Sequence, residues 1–462
     1  MGCSGSKVMQ AGDGTGGAIA SGGGRTASGG IGTGGASSTG GASLAPGGSA
    51  PTGGTPSSGA SSIGGGTASG GASSTGGGTA SGGTSSTGGG TPSTGGASST
   101  GGASSTGGAP GTGNAGSGPP ETAPRGYGRG TTGGGGKASQ KASSLAEIQA
   151  LIDGYSGSGG LVIEYTGKFD FKTISDPCTQ HERDAQIVEI KRKGDITLLG
   201  ADGSSANFGI HIASTSSNII VRNMTIGLTP GADASDIISI EGMSDGAPSK
   251  VWIDHNEFFT SMVECDGAGD TEFDGMIDVK KGADNITVSY NHLHDHHKVS
   301  LNGSSDSDTA ARHITFHHNL FEKVGSRVPL QRGGYAHLVN NEFLDVTVSG
   351  INVRMGGNAL VEANYFENVK NPVTSRDSDE IGFWDLRNNN LASASDVAAG
   401  NALGITWDDG NDGTVNATAW ETTKAFPVAL GYAFAADSHA CVHAGLRAVV
   451  GAGKGLETLK CE

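Results

Sequence analysis

Between residues 274 and 332 the chain gathers side chains that could act together: the carboxylates Asp274 and Asp278, the ammonium of Lys298, and the run Arg327-Val328-Pro329-Leu330-Gln331-Arg332. Two carboxylates a few residues apart offer hard oxygen donors to a divalent cation. The lysine and the two guanidinium groups offer charge and planar hydrogen-bonding forks to an anion. Such a set is what is needed to hold an anionic sugar and draw a proton from it. The chain as a whole is acidic, with 29 Lys and Arg against 45 Asp and Glu and a formal net charge of −16, so its overall field repels polyanions. That argues against nucleic-acid binding, and an acidic substrate would need local help from a metal ion or a basic patch.

The elements that must position these residues are short, apolar and β-branched, bounded by Gly, Asp and Asn: Leu161-Val162-Ile163, Ile196 to Leu199, Ile219-Ile220-Val221, Ile237 to Ile240 and Val251-Trp252-Ile253. Several lead into an asparagine followed by apolar or aromatic residues, at Val251 to Phe258, Ile286 to Leu293, Ile314 to Phe321, Ala336 to Phe343 and Ala359 to Phe366. The marker residues Asn256, Asn291, Asn319, Asn341 and Asn364 follow one another at steps of 35, 28, 22 and 23. A near-constant minimum with occasional expansions predicts a solenoid, one coil per repeat, with insertions in loops on one side. Three short parallel strands per coil would place the asparagines at equivalent turns, each bonding its neighbour's backbone. A jelly roll or sandwich would also give short strands, but not this repeated unit at one period. Trp252 and Phe258 are expected in the core or in a stack, and Asp254 and His255 in a structural role near the cleft.

Most of the 85 glycines fall before residue 140, so the foldable part amounts to one large domain of about 320 residues. Residues 1–138 read as a low-complexity flexible tether of Gly, Ser, Thr and Ala, unable to bury enough apolar area to offset the entropy of ordering. As a coil of about 130 residues it would reach roughly 60 Å. Folded character is expected from residue 139 to 462, opening with a helix whose start is marked by Ser144 and Glu147 in a capping box, with Leu151 and Ile152 on its apolar side.

No run of about 18 apolar residues suggests a membrane span. Cys3, Cys178, Cys265, Cys441 and Cys461 show no CxxC spacing, so a zinc ribbon or redox motif is disfavoured, and two bridges with one cysteine left over would suit an exported protein. The opening Gly2-Cys3 before a polar tether is similar to the start of a mature bacterial lipoprotein, and Cys3 is expected to be the lipidated residue of a cell-surface protein. An unmodified Cys3 in protein from the native cell, seen by mass spectrometry, would end that idea. His294, His296 and His297 do not read as a zinc site, because their spacing belongs to a strand end and no open three-ligand set is apparent.

The motifs Trp252-Ile253-Asp254-His255, Asp274-Gly275-Met276-Ile277-Asp278, Ile286 to Asn291 with Lys298, and Arg327 to Gly334 resemble those of bacterial pectate lyases of polysaccharide lyase family 1. The likeness runs from about residue 140 to the C-terminus and takes in Gly203 to Ile210 and Asn371 to Arg376. It implies an all-β fold, a right-handed parallel β-helix, and a secreted, monomeric enzyme. The implied activity is calcium-dependent β-elimination on α-1,4-linked polygalacturonate, giving 4,5-unsaturated oligogalacturonides. Carried over by position, Asp236, Asp274 and Asp278 match ligands of Ca²⁺, and Arg327 matches the residue that takes the proton. Lys280, Lys298 and Arg332 match residues that bind substrate carboxylates, with Lys298 and Arg332 also counted in the catalytic set. One departure is visible: the family has a further acid where this chain has Ala234, and Asp233 beside it is the candidate replacement. A guanidinium normally stays protonated, so a neutral Arg327 needs nearby cations to favour it, and activity is expected to rise into alkaline pH. The resemblance also implies the bridges Cys178–Cys265 and Cys441–Cys461.

Three other readings share parts of this pattern. A pectin lyase would act on methyl-esterified chains without calcium and favour an aromatic cleft over the acids seen here. A polygalacturonase would need a close carboxylate pair around a water, with an Asp-Asp and Gly-His-Gly signature that is absent. A non-catalytic carbohydrate-binding β-helix would have no need for Lys298, Arg327 and Arg332 together.

Overall fold

In the computed structural model the described residues are 115–231, 235–265, 273–391, 401–408 and 420–462. They form a parallel β-helix. Each coil contributes one strand to each of three sheets, which among the described residues have ten, six and eight strands. One coil runs Asp284–Ser289, His292–Lys298, Leu301–Asn302, and the next runs His313–His317, Leu320–Ser326, Leu330–Arg332. Successive coils pair in parallel and in register, as Ile286 with Ile314, Leu293 with Phe321 and Leu301 with Leu330.

The asparagines stand at the corner where the ten-stranded sheet gives way to the six-stranded one. The residue before each has a positive φ, as at His255, Tyr290, His318, Asn340 and Ala363, which turns the chain sharply but exposes backbone groups. Each asparagine side chain answers that cost. Asn341 Oδ1 accepts from the N–H and from Nδ2 of Asn319 at 3.0 and 2.9 Å, while Asn341 Nδ2 donates to Phe316 O at 2.9 Å and to Asn364 Oδ1 at 3.0 Å. The same pattern links Asn256 to Asn291, Asn291 to Asn319 and Asn364 to Asn389, so the ladder runs one rung beyond the repeats seen in the sequence. Beneath it, Phe321, Phe343 and Phe366 stack coil on coil with ring centroids 5.0 and 4.6 Å apart.

Helix α1, Leu145–Gly154, buries Ile148 and Ile152. Ser144 Oγ accepts from Glu147 N at 3.3 Å, and the Glu147 carboxylate takes the N–H of Ser143 rather than that of the cap residue itself. Helix α2, His439–Val449, packs Val442 and Leu446 against Tyr290, Leu320 and Leu344. Both disulfides form, Cys178–Cys265 and Cys441–Cys461.

Residues 115–138, grouped by composition with the tether, belong to the folded body. Ala115–Gly118 pairs antiparallel with Thr458–Cys461. The glycine-rich stretch that follows is strapped across the outside of the ten-stranded sheet: Tyr127 N donates to Thr315 Oγ1 at 3.1 Å, Gly128 N to Thr287 Oγ1 at 2.9 Å and Gly134 N to Thr197 Oγ1 at 3.0 Å. A Cβ at Gly128 would lie 2.9 Å from Thr287 N, and one at Gly134 2.4 Å from Leu161 O. Glycine here permits close approach, a use that composition alone does not separate from a flexible coil. Cys3 lies outside the described residues.

Candidate active site

The residues singled out by their chemistry climb one edge of the solenoid. The corner where the six-stranded sheet passes to the eight-stranded one carries Asp236 ahead of Ile238–Glu241, Asp274 ahead of Ile277–Lys280, Lys298 ahead of Leu301–Asn302, and Arg327 ahead of Leu330–Arg332. These are four successive coils, two presenting an acid and two a base. Because parallel strands stack about 4.8 Å apart, residues far apart in sequence become neighbours along that edge. Asp278 and Lys280 point the same way from one strand, at alternate positions.

The acids are held by backbone and by one another's counter-ion. Asp236 Oδ1 accepts from Gly275 N at 3.1 Å, and Asp278 Oδ1 from Leu301 N at 3.0 Å. Lys280 Nζ sits 2.5 Å from Asp236 Oδ2 and 3.6 Å from Asp278 Oδ2, and Lys298 Nζ lies 3.9 Å from Asp274 Oδ1. Burial, together with the charges of Asp236 and Asp274 and against that of Lys280, raises the pKa of Asp278 well above the ordinary carboxylate range. Burial pushes Lys280 down, but Asp278 and Asp236 outweigh it and raise its pKa. A recess of about 180 Å³ opens here, lined by Asp236, Asp274, Lys280, His211, Ser239 and Glu241. Asp233 and Ala234, the pair on which a further acidic ligand turns, lie outside the described residues.

On the basic side, Arg327 occupies a left-handed backbone position, φ 58°, at the corner. Arg332 Nε is 2.7 Å from Asp306 Oδ1, its Nη1 donates to Gly303 O at 2.9 Å, and Arg312 Nη1 donates to the Arg332 carbonyl at 2.8 Å. The guanidinium of Arg332 is thereby braced.

One basic residue went unnoticed in the sequence. Arg354 pairs in register with Arg332 one coil on, and burial, with the charges of Arg332 and Arg327 against that of Asp377, brings its pKa down to about 10. Its position two residues beyond Asn352, like Arg332 beyond Leu330, is the signal that alignment of coils would have exposed.

The other expectations concern residues outside this set of acids and bases. His294, His296 and His297 do not converge: His296 is buried, between Thr260 Oγ1 at 2.6 Å and the Lys298 carbonyl at 2.7 Å, where it fixes the backbone behind Lys298. Burial drives its pKa down to about 3, so it stays neutral. Asp254 and His255 are structural but do not flank this cleft, since they sit at the other corner, between the ten- and six-stranded sheets. There Asp254 takes Ser289 Oγ at 2.6 Å and Arg222 Nε at 2.6 Å, and His255 Nε2 meets the Glu457 carbonyl at 2.8 Å. Trp252 lies on the outer face of its strand, with Nε1 donating to Ser289 Oγ at 2.8 Å and the Arg222 guanidinium 4.1 Å above its ring, while Phe258 is in the core.

Comparison with known proteins finds relatives across the described body of the chain. The family model described as pectate lyase matches residues 115–455. Pectate lyase B of Dickeya chrysanthemi is 45% identical over 343 residues, spanning 70% of this chain and 88% of the relative. The structure of pectate lyase II from Xanthomonas campestris superposes with a TM-score of 0.69 at 53% identity, covering 72% of this chain and 99% of that one. Pectate lyase C from Erwinia chrysanthemi, solved at pH 9.5 with 30 mM Ca²⁺, superposes with a TM-score of 0.68 at 41% identity, covering 74% and 99%.

Proposed function

The chain belongs to the pectate lyase family, and on that premise we propose that it cleaves α-1,4-linked polygalacturonate by calcium-dependent β-elimination, outside the cell, releasing 4,5-unsaturated oligogalacturonides. The observation that carries the reading is the single corner on which Asp236, Asp274, Lys298 and Arg327 follow one another coil by coil. The donor set fits Ca²⁺: Asp236 and Asp274 line one recess with Lys280, and buried Asp278, whose pKa is raised by burial and then by the charges of Asp236 and Asp274, stands 3.6 Å from the same ammonium. Bound there through Asp236, Asp274 and Asp278, Ca²⁺ would neutralise a uronate carboxylate and acidify the neighbouring C–H.

The protein's own residues supply the remainder. Lys298, Arg332 and Lys280 hold substrate carboxylates, Arg332 from a braced fork, and Arg354 adds positive potential beside Arg327 and Arg332. Arg327 takes the proton from C5 of the uronate. The electron pair of that C–H bond becomes the C4–C5 double bond, the C4–O4 bond breaks with its pair going to oxygen, and that oxygen, left on C1 of the departing sugar, is protonated from solvent. The Arg327 guanidine is a usable base only when uncharged. The two disulfides suit an oxidising exterior, and no helix of the described residues is long and apolar enough to cross a membrane.

Incubation with polygalacturonate with and without EDTA, following the ultraviolet absorbance of the unsaturated product, tests the reading. Absorbance that grows only with calcium is expected. Reducing ends without absorbance would mean hydrolysis, and an undiminished rate in EDTA would remove calcium from the scheme.

A further inference from the structure

The outer face of the six-stranded sheet carries a second set of ligand-type side chains that shares no residue with the site above. Glu257, on Glu257–Phe259, stands directly opposite His292 on the next coil, and His294 follows two residues on, so period-two alternation puts both imidazoles on the face of the glutamate. One ligand-capable atom from each of the three lies within 4.8 Å of the others.

The two imidazoles are stacked with centroids 4.2 Å apart, and the surrounding hydrogen bonds assign the proton on each. His294 Nδ1 is 2.7 Å from Asp295 Oδ2, so the proton sits there and Nε2 is left with its lone pair. That Nε2 is buried and makes no hydrogen bond, and it faces Glu257 Oε1 at 3.6 Å. His292 Nε2 is 3.1 Å from Glu322 Oε2 on the third coil, which leaves Nδ1 as its lone-pair nitrogen. The other oxygen of Glu257 is occupied by Thr225 Oγ1 at 3.2 Å, from the coil before. Carboxylates that grip the far nitrogen of each imidazole, and a hydroxyl that grips the far oxygen of the glutamate, are the arrangement that orients ligands around a metal.

We propose that Glu257, His292 and His294 bind a first-row transition-metal dication, Zn²⁺ being the ion suited to two imidazoles and one carboxylate. Ligand atoms of a tetrahedral zinc with bonds of about 2.0–2.1 Å lie about 3.4 Å apart, close to the Nε2–Oε1 separation here. A recess of about 240 Å³ bordered by Glu257, His292 and Glu322 leaves the fourth position to water. Arg447 on the same border spends its charge on Glu342, 3.0 Å away. The ion would tie neighbouring coils together.

The test is calorimetric titration of the EDTA-stripped, desalted full chain with ZnCl₂ in excess Ca²⁺, which keeps zinc off the acidic corner. One equivalent bound and a raised unfolding midpoint are expected, with affinity down at least about 100-fold in His292→Ala/His294→Ala and about 10- to 100-fold in Glu322→Gln. No uptake in excess calcium, or uptake unchanged in the folded double variant, overturns the site. Should that variant not fold, zinc-edge X-ray absorption on the wild-type chain decides: two nitrogen donors support the site and an all-oxygen shell refutes it.

Discussion

Lys280 and Asp278 belong to one strand and point the same way, yet the lysine leans to Asp236 on the neighbouring coil, 2.5 Å from its carboxylate against 3.6 Å from Asp278. One ammonium thus serves two acids unequally, and Asp278 is the acid left in excess.

Replacing Asp278 with Asn should consequently stabilise the calcium-free protein at neutral pH while abolishing the gain that calcium gives. The sign follows from the raised pKa: the unfolded chain is the stronger acid, so ionised Asp278 costs stability as pH rises from the unfolded value through the folded one. Asn Oδ1 can still accept from Leu301 N. Melting curves of both proteins with EDTA and with Ca²⁺ check this, and a variant still stabilised by calcium as strongly as the parent contradicts the assignment.

Arg327→Lys keeps a positive charge at the corner but removes the guanidine. Turnover is expected to fall by about 10²–10⁴-fold with KM changed only a few-fold. Steady-state kinetics on polygalacturonate provide the check, and a kcat within ten-fold of the parent rules out Arg327 as the proton acceptor.

Asn341→Ala should cost about 3 kcal/mol, since it takes the partner from the buried Asn319 N–H and removes one bond each from Asn319 Nδ2, Phe316 O and Asn364 Oδ1. Urea unfolding measures it. A loss below about 1 kcal/mol would reduce the asparagine column to ornament.

Buried histidines predict acid lability. Burial lowers the pKa of His318 to about 4 and depresses those of His317 and His337, with Asp437 and Glu362 only partly opposing it at His318 and His337. Between the ordinary value near 6.5 and the folded values, the unfolded chain binds protons that the folded one refuses. Stability is therefore lost as pH falls, by about 1.4 kcal/mol per unit for each such group. Glu121, Glu342 and, without calcium, Asp278 are raised by burial and act in the opposite sense from their folded values down to the ordinary ones. The urea midpoint of chelated Asp278→Asn protein, free of the largest opposing carboxylate, should drop from pH 6.5 to 4.5, and a flat profile would count against it.

A chain beginning at residue 115 should unfold at the same urea concentration as the full chain, whereas one beginning at 139 should lose about 3 kcal/mol or more. The difference is the strap of backbone bonds to Thr315, Thr287 and Thr197. Equal midpoints for the two truncations would mean the strap is passive.

Much of this was legible beforehand because the solenoid repeats itself. Asn256 to Asn364 mark the corners, Phe321, Phe343 and Phe366 fill equivalent interior positions, and the motifs around Asp278, Lys298 and Arg327 pointed to residues that the fold brings to one edge. What escaped notice required strand register. Arg354 meets Arg332 only when coils are laid over one another, and Glu257 meets His292 only across a step of 35 residues. The strap escaped for another reason: glycine signals a loose coil and a tight backbone approach with the same letter.

The asparagine column also dictates how such a molecule can change length. Adding one complete turn, 22 residues between Asn319 and Asn341, returns every outward side chain to its own face, whereas adding one residue inside a strand inverts all that follow. Growth is therefore confined to whole turns and to excursions at the corners. The long step from Asn256 to Asn291 is such an excursion, and it is the one that delivers Asp274.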